Sequence, residues 1–139
     1  MDERFGKAYK LCSKKIIASI FTEGQTIKSF PIRLIYLLTP LPTEKSFQVV
    51  FSVPKKKFKK APDRNRVKRL LREVVRKNKI ELEDYLTAES KQLALFLIYL
   101  GEEIMTYNEM ERKIVSLFSR LLTELKNNDL IQVDESIKE

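Results

Sequence analysis

The chain has 139 residues, 43% of them apolar, which is enough for one hydrophobic core, and it carries a net charge of +8 with one cysteine and no histidine. With Cys12 alone and no imidazole, disulfide frameworks, thiolate zinc sites and Ser-His or Cys-His nucleophile pairs are excluded. The longest apolar run, LALFLIYL, has eight residues against the roughly 20 that span a bilayer, and MDERFGKAYK carries no apolar signal segment, so a cytoplasmic protein is expected.

In chain order, Ser13 is placed to cap a helix over 13–22 in which Ile16, Ile17, Ile20 and Phe21 are apolar, and Gly24 falls where a C-terminal glycine cap would. Gln25 to Ser29 leaves room for a short strand. PIRLIYLL, Pro31 to Leu38, is rich in β-formers, TPLPTEK breaks it, and SFQVVFSV from Ser46 to Val53 predicts a further strand. Pro54 and Pro62 bracket the loop KKKFKKA, and Asp63 is expected to cap a helix running from Arg64 to about Lys77. Residues 80–92 read as a polar connector, and LALFLIYL before Gly101 as a buried strand. Thr106 and Glu109 form a capping box with Met105 and Met110 at the staple positions. Apolar residues at 110, 114, 117, 121 and 125 then predict a helix over 107–126. The elements make a single α+β sandwich over 1–126, followed by a polar C-terminal tail over 127–139 that is expected to fray.

Charge is concentrated in the middle of the chain. Residues 1–54 hold 8 basic and 4 acidic side chains, 55–79 hold 13 and 2, and 80–139 hold 6 and 13. One strong local field implies a polyanionic partner. On a helix, Val67, Leu70, Leu71, Val74 and Val75 share one arc while Arg64, Asn65, Lys68, Arg69, Arg72 and Arg76 share the next. A solvated helix face normally carries acidic partners at i+4, and only Asp63 and Glu73 are acidic in this segment. Arginine forks suit phosphates, and Asn65 suits a base edge or a 2′-hydroxyl. Val and Leu on the apolar side suit a packed core, where a membrane-surface helix would need bulky Phe or Trp. Nucleic acid is therefore the expected partner. Glu102 with Glu103, and Glu81, Glu83 and Asp84, are the available hard-metal ligands, but they sit in polar connecting stretches, so no tightly bound metal is expected.

SVPKKKFKKAPDRNRVKRLLREVVR resembles the bacterial ribonuclease P protein component, whose signature is a K-K pair ending a strand, then basic residues, then R-N-R-x-x-K-R-x-x-R-E. Residues 52–73 match, and a looser likeness over Leu11 to Gly24 extends the resemblance to about residues 5–125. The resemblance implies a four-stranded sheet packed by helices, like ribosomal protein S5 domain 2, with a left-handed βαβ crossover through the basic helix. It further implies that the RNA subunit binds the Mg²⁺ ions and cleaves precursor tRNA, with no catalytic residue in the protein. By the same likeness Arg64, Asn65, Arg66, Lys68, Arg69 and Arg72, with Lys55, Lys59 and Lys60, grip the RNA subunit. A cleft between the first helix and the sheet, at Ile17, Phe21, Tyr36, Ser52 and Lys56, then holds the single-stranded 5′ leader. Ile17, Phe21 and Tyr36 fit ordinary core spacing as well as they fit a stacking groove. Pro54, Phe58 and the acidic C-terminal part depart from the family pattern. The alternatives are a general structured-RNA or ribosome-assembly protein with no role in cleavage, a DNA-binding module, and an autonomous metal nuclease using Glu81, Glu83 or Asp84.

Overall fold

The computed structural model describes the backbone of residues 5–138 and the side chains of residues 5–127. A short 3₁₀ turn at Lys7–Tyr9 precedes α1 (Lys14–Glu23), β1 (Gln25–Ser29), β2 (Ile32–Leu38) and β3 (Phe47–Ser52). Then follow α2 (Ala61–Asn78), α3 (Ile80–Ala88), β4 (Leu93–Tyr99) and α4 (Tyr107–Lys138). The four strands form one mixed sheet in the order β1-β2-β4-β3. β1 with β2 and β2 with β4 are antiparallel, and β3 with β4 is parallel. A parallel neighbour needs a crossover of at least a dozen residues, and here α2 and α3 supply it, so the sheet topology itself places the basic helix across the end of β3.

Alternation along the strands divides the sheet into two unlike faces. Ile32, Leu34, Tyr36, Phe47, Val49, Leu93, Leu95, Leu97 and Tyr99 join the main core with Val67, Leu71, Val74 and Val75 of α2, Leu82 and Leu86 of α3, and the apolar side of α4. Among the described residues the one helix on the opposite face is α1, whose Ile20 is buried with Leu11, Ile35 and Ala94, while Phe96, Ile98 and Val50 are partly buried around them. One small helix cannot cover a four-stranded sheet, so part of this second face stays open.

Local chemistry accounts for the helix ends. Ser13 Oγ accepts from Ile16 N–H at 3.2 Å, and Gly24 N–H donates to Ile20 C=O at 2.9 Å. A side chain at Gly24 would collide with that same carbonyl, so this close approach requires glycine. Thr106 Oγ1 accepts from Glu109 N–H at 3.2 Å, completing the capping box.

Three expectations are corrected. Helix α2 begins at Ala61 with Lys60 as N-cap and Pro62 in its first turn, so Asp63 lies inside the first turn and makes no side-chain cap. Proline has no N–H to lose there and its φ already suits the helix, so the bracket read as a loop boundary is the helix start. The connector after residue 79 contains α3, whose buried Leu82 and Leu86 sit one turn apart. The final helix continues past residue 126 to Lys138, since neither proline nor glycine interrupts the chain after Gly101.

Candidate nucleic-acid interface

Helix α2 buries Val67, Leu71, Val74 and Val75 completely, leaving Asn65, Arg66, Lys68, Arg69 and Arg72 exposed. Within the 55–79 segment Lys57 pairs with Glu102 at 3.6 Å, Arg76 with Glu73, and the buried Lys79 with Glu83. The Arg76 hydrogen bond holds the Glu73 carboxyl below its ordinary range. Lys55, Lys56, Lys59, Lys60, Arg66, Lys68 and Arg69 have no carboxylate partner among the described residues. Unscreened like charges held on one surface repel one another, and a polyanion relieves that repulsion.

Two of the motif arginines also have structural work. Arg64 Nη1 donates to the carbonyls of Phe58 at 2.7 Å and Lys59 at 3.0 Å, tying the lysine loop to the start of α2. Phe58, buried against Tyr99 with ring centroids 6.1 Å apart, pins the other side of that loop. Lys59 and Lys60 are therefore held on a loop tied to α2. Arg72 donates to the Phe5 carbonyl at 3.1 Å and lies over the Phe5 ring at 5.4 Å, drawing the N-terminal segment onto the same surface.

On the second sheet face, Phe21 of α1 is 58% exposed, yet it meets Phe96 of β4 edge-on with centroids 5.0 Å apart. An apolar ring held by a second ring while open to water is a stacking platform. Ile17 is half-buried beside it on α1, and Ser52 lies on the same sheet face through its register with Ile98. Lys56 is exposed in the turn after β3. Tyr36 does not belong here. It is 3% exposed on the opposite face, under α4, and its hydroxyl donates to Glu124 at 3.0 Å. Burial, reinforced by Glu124, pushes the Tyr36 hydroxyl well above its ordinary pKa. A one-residue step along a strand changes face, so the β2 residue that looks toward α1 is Ile35.

Among the described residues no three of His, Cys, Asp and Glu come together as a set that could hold a metal ion. Glu83, one of the candidate acids, instead accepts from Tyr9 Oη at 2.8 Å and pairs with Lys79. No helix of the described residues is long and apolar enough to cross a membrane.

The family model described as Ribonuclease P matches residues 5–122, which include the whole cationic helix and both sheet faces. The chain belongs to the ribonuclease P protein family. A ribonuclease P protein component from Porphyromonas gingivalis is 29% identical over 124 residues, covering 89% of this chain and 90% of the relative. One from Chlorobium phaeobacteroides is 36% identical over 75 residues, about half of each chain (52% and 51%). The fold is similar to that of the Staphylococcus aureus RNase P protein, with a TM-score of 0.66, 18% identity and coverage of 83% of this chain and 96% of that one. It is likewise similar to the RNase P protein from Thermotoga maritima, with a TM-score of 0.63, 22% identity and coverage of 80% and 96%.

In this ribonuclease P protein, the cations and the amide expected to grip RNA, from Lys55 to Arg72, come together on α2 and the loop that Arg64 fastens to it. Of the residues expected in the cleft, Ile17, Phe21 and Ser52 share the α1 face, Lys56 borders β3, and Tyr36 is excluded. Sequence reading misses Phe96, because an aromatic within LALFLIYL looks like any other core residue. It also misses Arg33, whose position across from Lys28 and Ile98 puts it on the open face, with its Nε buried and without a hydrogen-bond partner among the described residues. The cue was there: a charged residue inside an otherwise apolar strand run.

Proposed function

We infer that this chain is the RNA-binding protein subunit of ribonuclease P, acting in the cytoplasm in the maturation of precursor tRNA. Helix α2 and its lysine loop grip the RNA subunit, and the open sheet face beside α1 receives the single-stranded 5′ leader. The observation that carries this reading is the exposed face of α2, where Lys68, Arg69 and Arg66 stand without carboxylate partners among the described residues, inside the family's motif. Mg²⁺ ions held by the RNA subunit would supply the hydrolytic chemistry.

The protein's own contribution is positional. Neutralising phosphates on the RNA subunit lowers the repulsion between RNA segments that must approach one another, so less Mg²⁺ is needed to hold the assembled enzyme together. A leader laid against Phe21 and Phe96 adds binding that mature tRNA, having no leader, does not gain. Stacking is tolerant of base identity, so leaders of different sequence are accepted.

The test is cleavage of 5′-labelled precursor tRNA by the RNA subunit at low Mg²⁺, alone, with this protein, and with its Lys68→Ala/Arg69→Ala variant. Restoration of correct 5′ processing by the wild type, with a clear deficit in the variant, is the expected result. If the protein binds the folded RNA yet leaves cleavage unchanged, it is a general structured-RNA binder.

A further inference from the structure

A concave pocket of about 410 Å³ opens where the segment Phe5–Gly6 and the 3₁₀ turn cross the outer edge of β3, under the cationic face of α2. Its two sides differ in chemistry. One is apolar and aromatic, built on Phe5 and Phe51, with Phe5 stacked on Tyr9 at 5.1 Å between centroids. The other presents Asn65, Lys68 and Arg69, and no carboxylate lines the pocket among the described residues.

The floor of the pocket is a sheet edge. β3 is the last strand of the sheet on this side, and among the described residues only its first half is covered: Val49 C=O accepts from Leu11 N–H at 3.0 Å. Because alternate residues of an edge strand turn their peptide groups outward, Phe51 points its N–H and C=O the same way as Val49. Those two groups have no hydrogen-bond partner among the described residues.

We propose that this pocket holds one unstacked nucleotide of the RNA subunit, with its base against the Phe5 and Phe51 side and its phosphate on Lys68 and Arg69. The proposal rests on the RNA-subunit reading of α2 and adds a ligand of defined size to it. A pocket of this volume lies at the small end of ligand sites, large enough for a nucleotide and too small for a duplex. Every nucleobase carries a donor and an acceptor side by side on its Watson–Crick edge, and the outward N–H and C=O of Phe51 complement such a pair. A bare phosphate would use the cations and leave the aromatic wall idle. Arg72, already bound to the carbonyl and ring of Phe5, holds that wall in place before any ligand arrives.

Gly6 permits a test that removes no charge. A Cβ added there meets nothing within 4 Å, and the backbone at φ −87° accepts any L-residue, so Gly6→Phe sets a ring at the pocket's lining without a clash. The full-length protein is titrated with AMP, GMP, CMP and UMP, and separately with ribose 5-phosphate and inorganic phosphate, while amide NMR signals of Gly6, Phe51 and Asn65 are followed. Saturable shifts are expected with at least one nucleotide, at roughly ten-fold lower concentration than with ribose 5-phosphate, and they are lost in Gly6→Phe. The same variant, with an otherwise unchanged amide spectrum, is expected to bind the RNA subunit about ten-fold more weakly at an unaltered salt slope, with or without leader on the tRNA. Equal response to ribose 5-phosphate would make this an anion site only and overturn the proposal. So would the absence of any response, or wild-type RNA affinity in Gly6→Phe, or a defect seen only with leader-bearing substrate. Failure of the ribonuclease P reading shows up elsewhere, as unchanged precursor cleavage with the wild-type protein.

Discussion

Replacing Phe21 by alanine separates the open sheet face from the core beneath it. The ring is 58% exposed, so about two fifths of the roughly 200 Å² an aromatic side chain offers is out of water. At about 25 cal/mol per Å² its removal costs the fold at most about 2 kcal/mol, a loss a domain of this size survives. The cost to function is of a different kind. Stacking of one base on an aromatic is worth about 1 to 3 kcal/mol, which converts to a roughly 5- to 150-fold loss of preference for precursor over mature tRNA. The assay is equilibrium binding of both tRNAs to the holoenzyme reconstituted with wild-type, Phe21→Ala and Tyr36→Phe proteins. Phe21→Ala should lose the preference while affinity for mature tRNA stays unchanged. Tyr36→Phe should keep it, since that hydroxyl meets Glu124 under α4 on the far side of the sheet. A Phe21→Ala enzyme that still discriminates fully, or a Tyr36→Phe enzyme that does not, would refute the assignment of faces.

Lys68→Ala/Arg69→Ala should lower the slope of log affinity for the RNA subunit against log salt by roughly 0.7 to 0.9 for each phosphate left without its cation, measured by titrations at several salt concentrations. Arg64→Ala removes the clamp on the Phe58 and Lys59 carbonyls, so trypsin should cut faster after Lys59 and Lys60, and Arg64→Lys should restore protection only in part because an ammonium lacks the planar fork. Tyr36 has a raised folded-state pKa, so its contribution is complete below about pH 10, the unfolded value, and is lost as pH rises through the folded one. Denaturant midpoints should therefore fall at strongly alkaline pH, and less steeply in Tyr36→Phe. Leu71→Ala, which empties a fully buried position between α2 and the sheet, should cost about 2 to 5 kcal/mol in unfolding free energy while leaving the salt slope intact.

Much of this protein is local chemistry and is therefore visible in the chain. The Ser13 cap, the Thr106–Glu109 box and the β-rich runs depend on neighbours within a few residues, and each element they announce begins within a residue of where it is expected. Helix α3 escapes because only two buried leucines one turn apart mark it within an acidic stretch. The start of α2 escapes because Pro62 reads equally as a loop bracket and as a first-turn residue.

The charge of the cationic surface was decided by the sequence alone: thirteen cations against two acids between residues 55 and 79, on a helix whose other side is Val and Leu, leave α2 one way to lie. Folding decided what the spacing of residues could not. It paired Lys57 with Glu102 and Lys79 with Glu83, used Arg64 and Arg72 to fasten the loop and the N-terminal segment, and so distinguished the free cations from the engaged ones. It also set the face of each strand residue, sending Tyr36 under α4 and bringing Phe96 to Phe21. The reason is the two-residue period of a strand: a pattern apolar on both sides carries no sign of which side meets which helix, and only the order β1-β2-β4-β3 with α1 alone on one face supplies it.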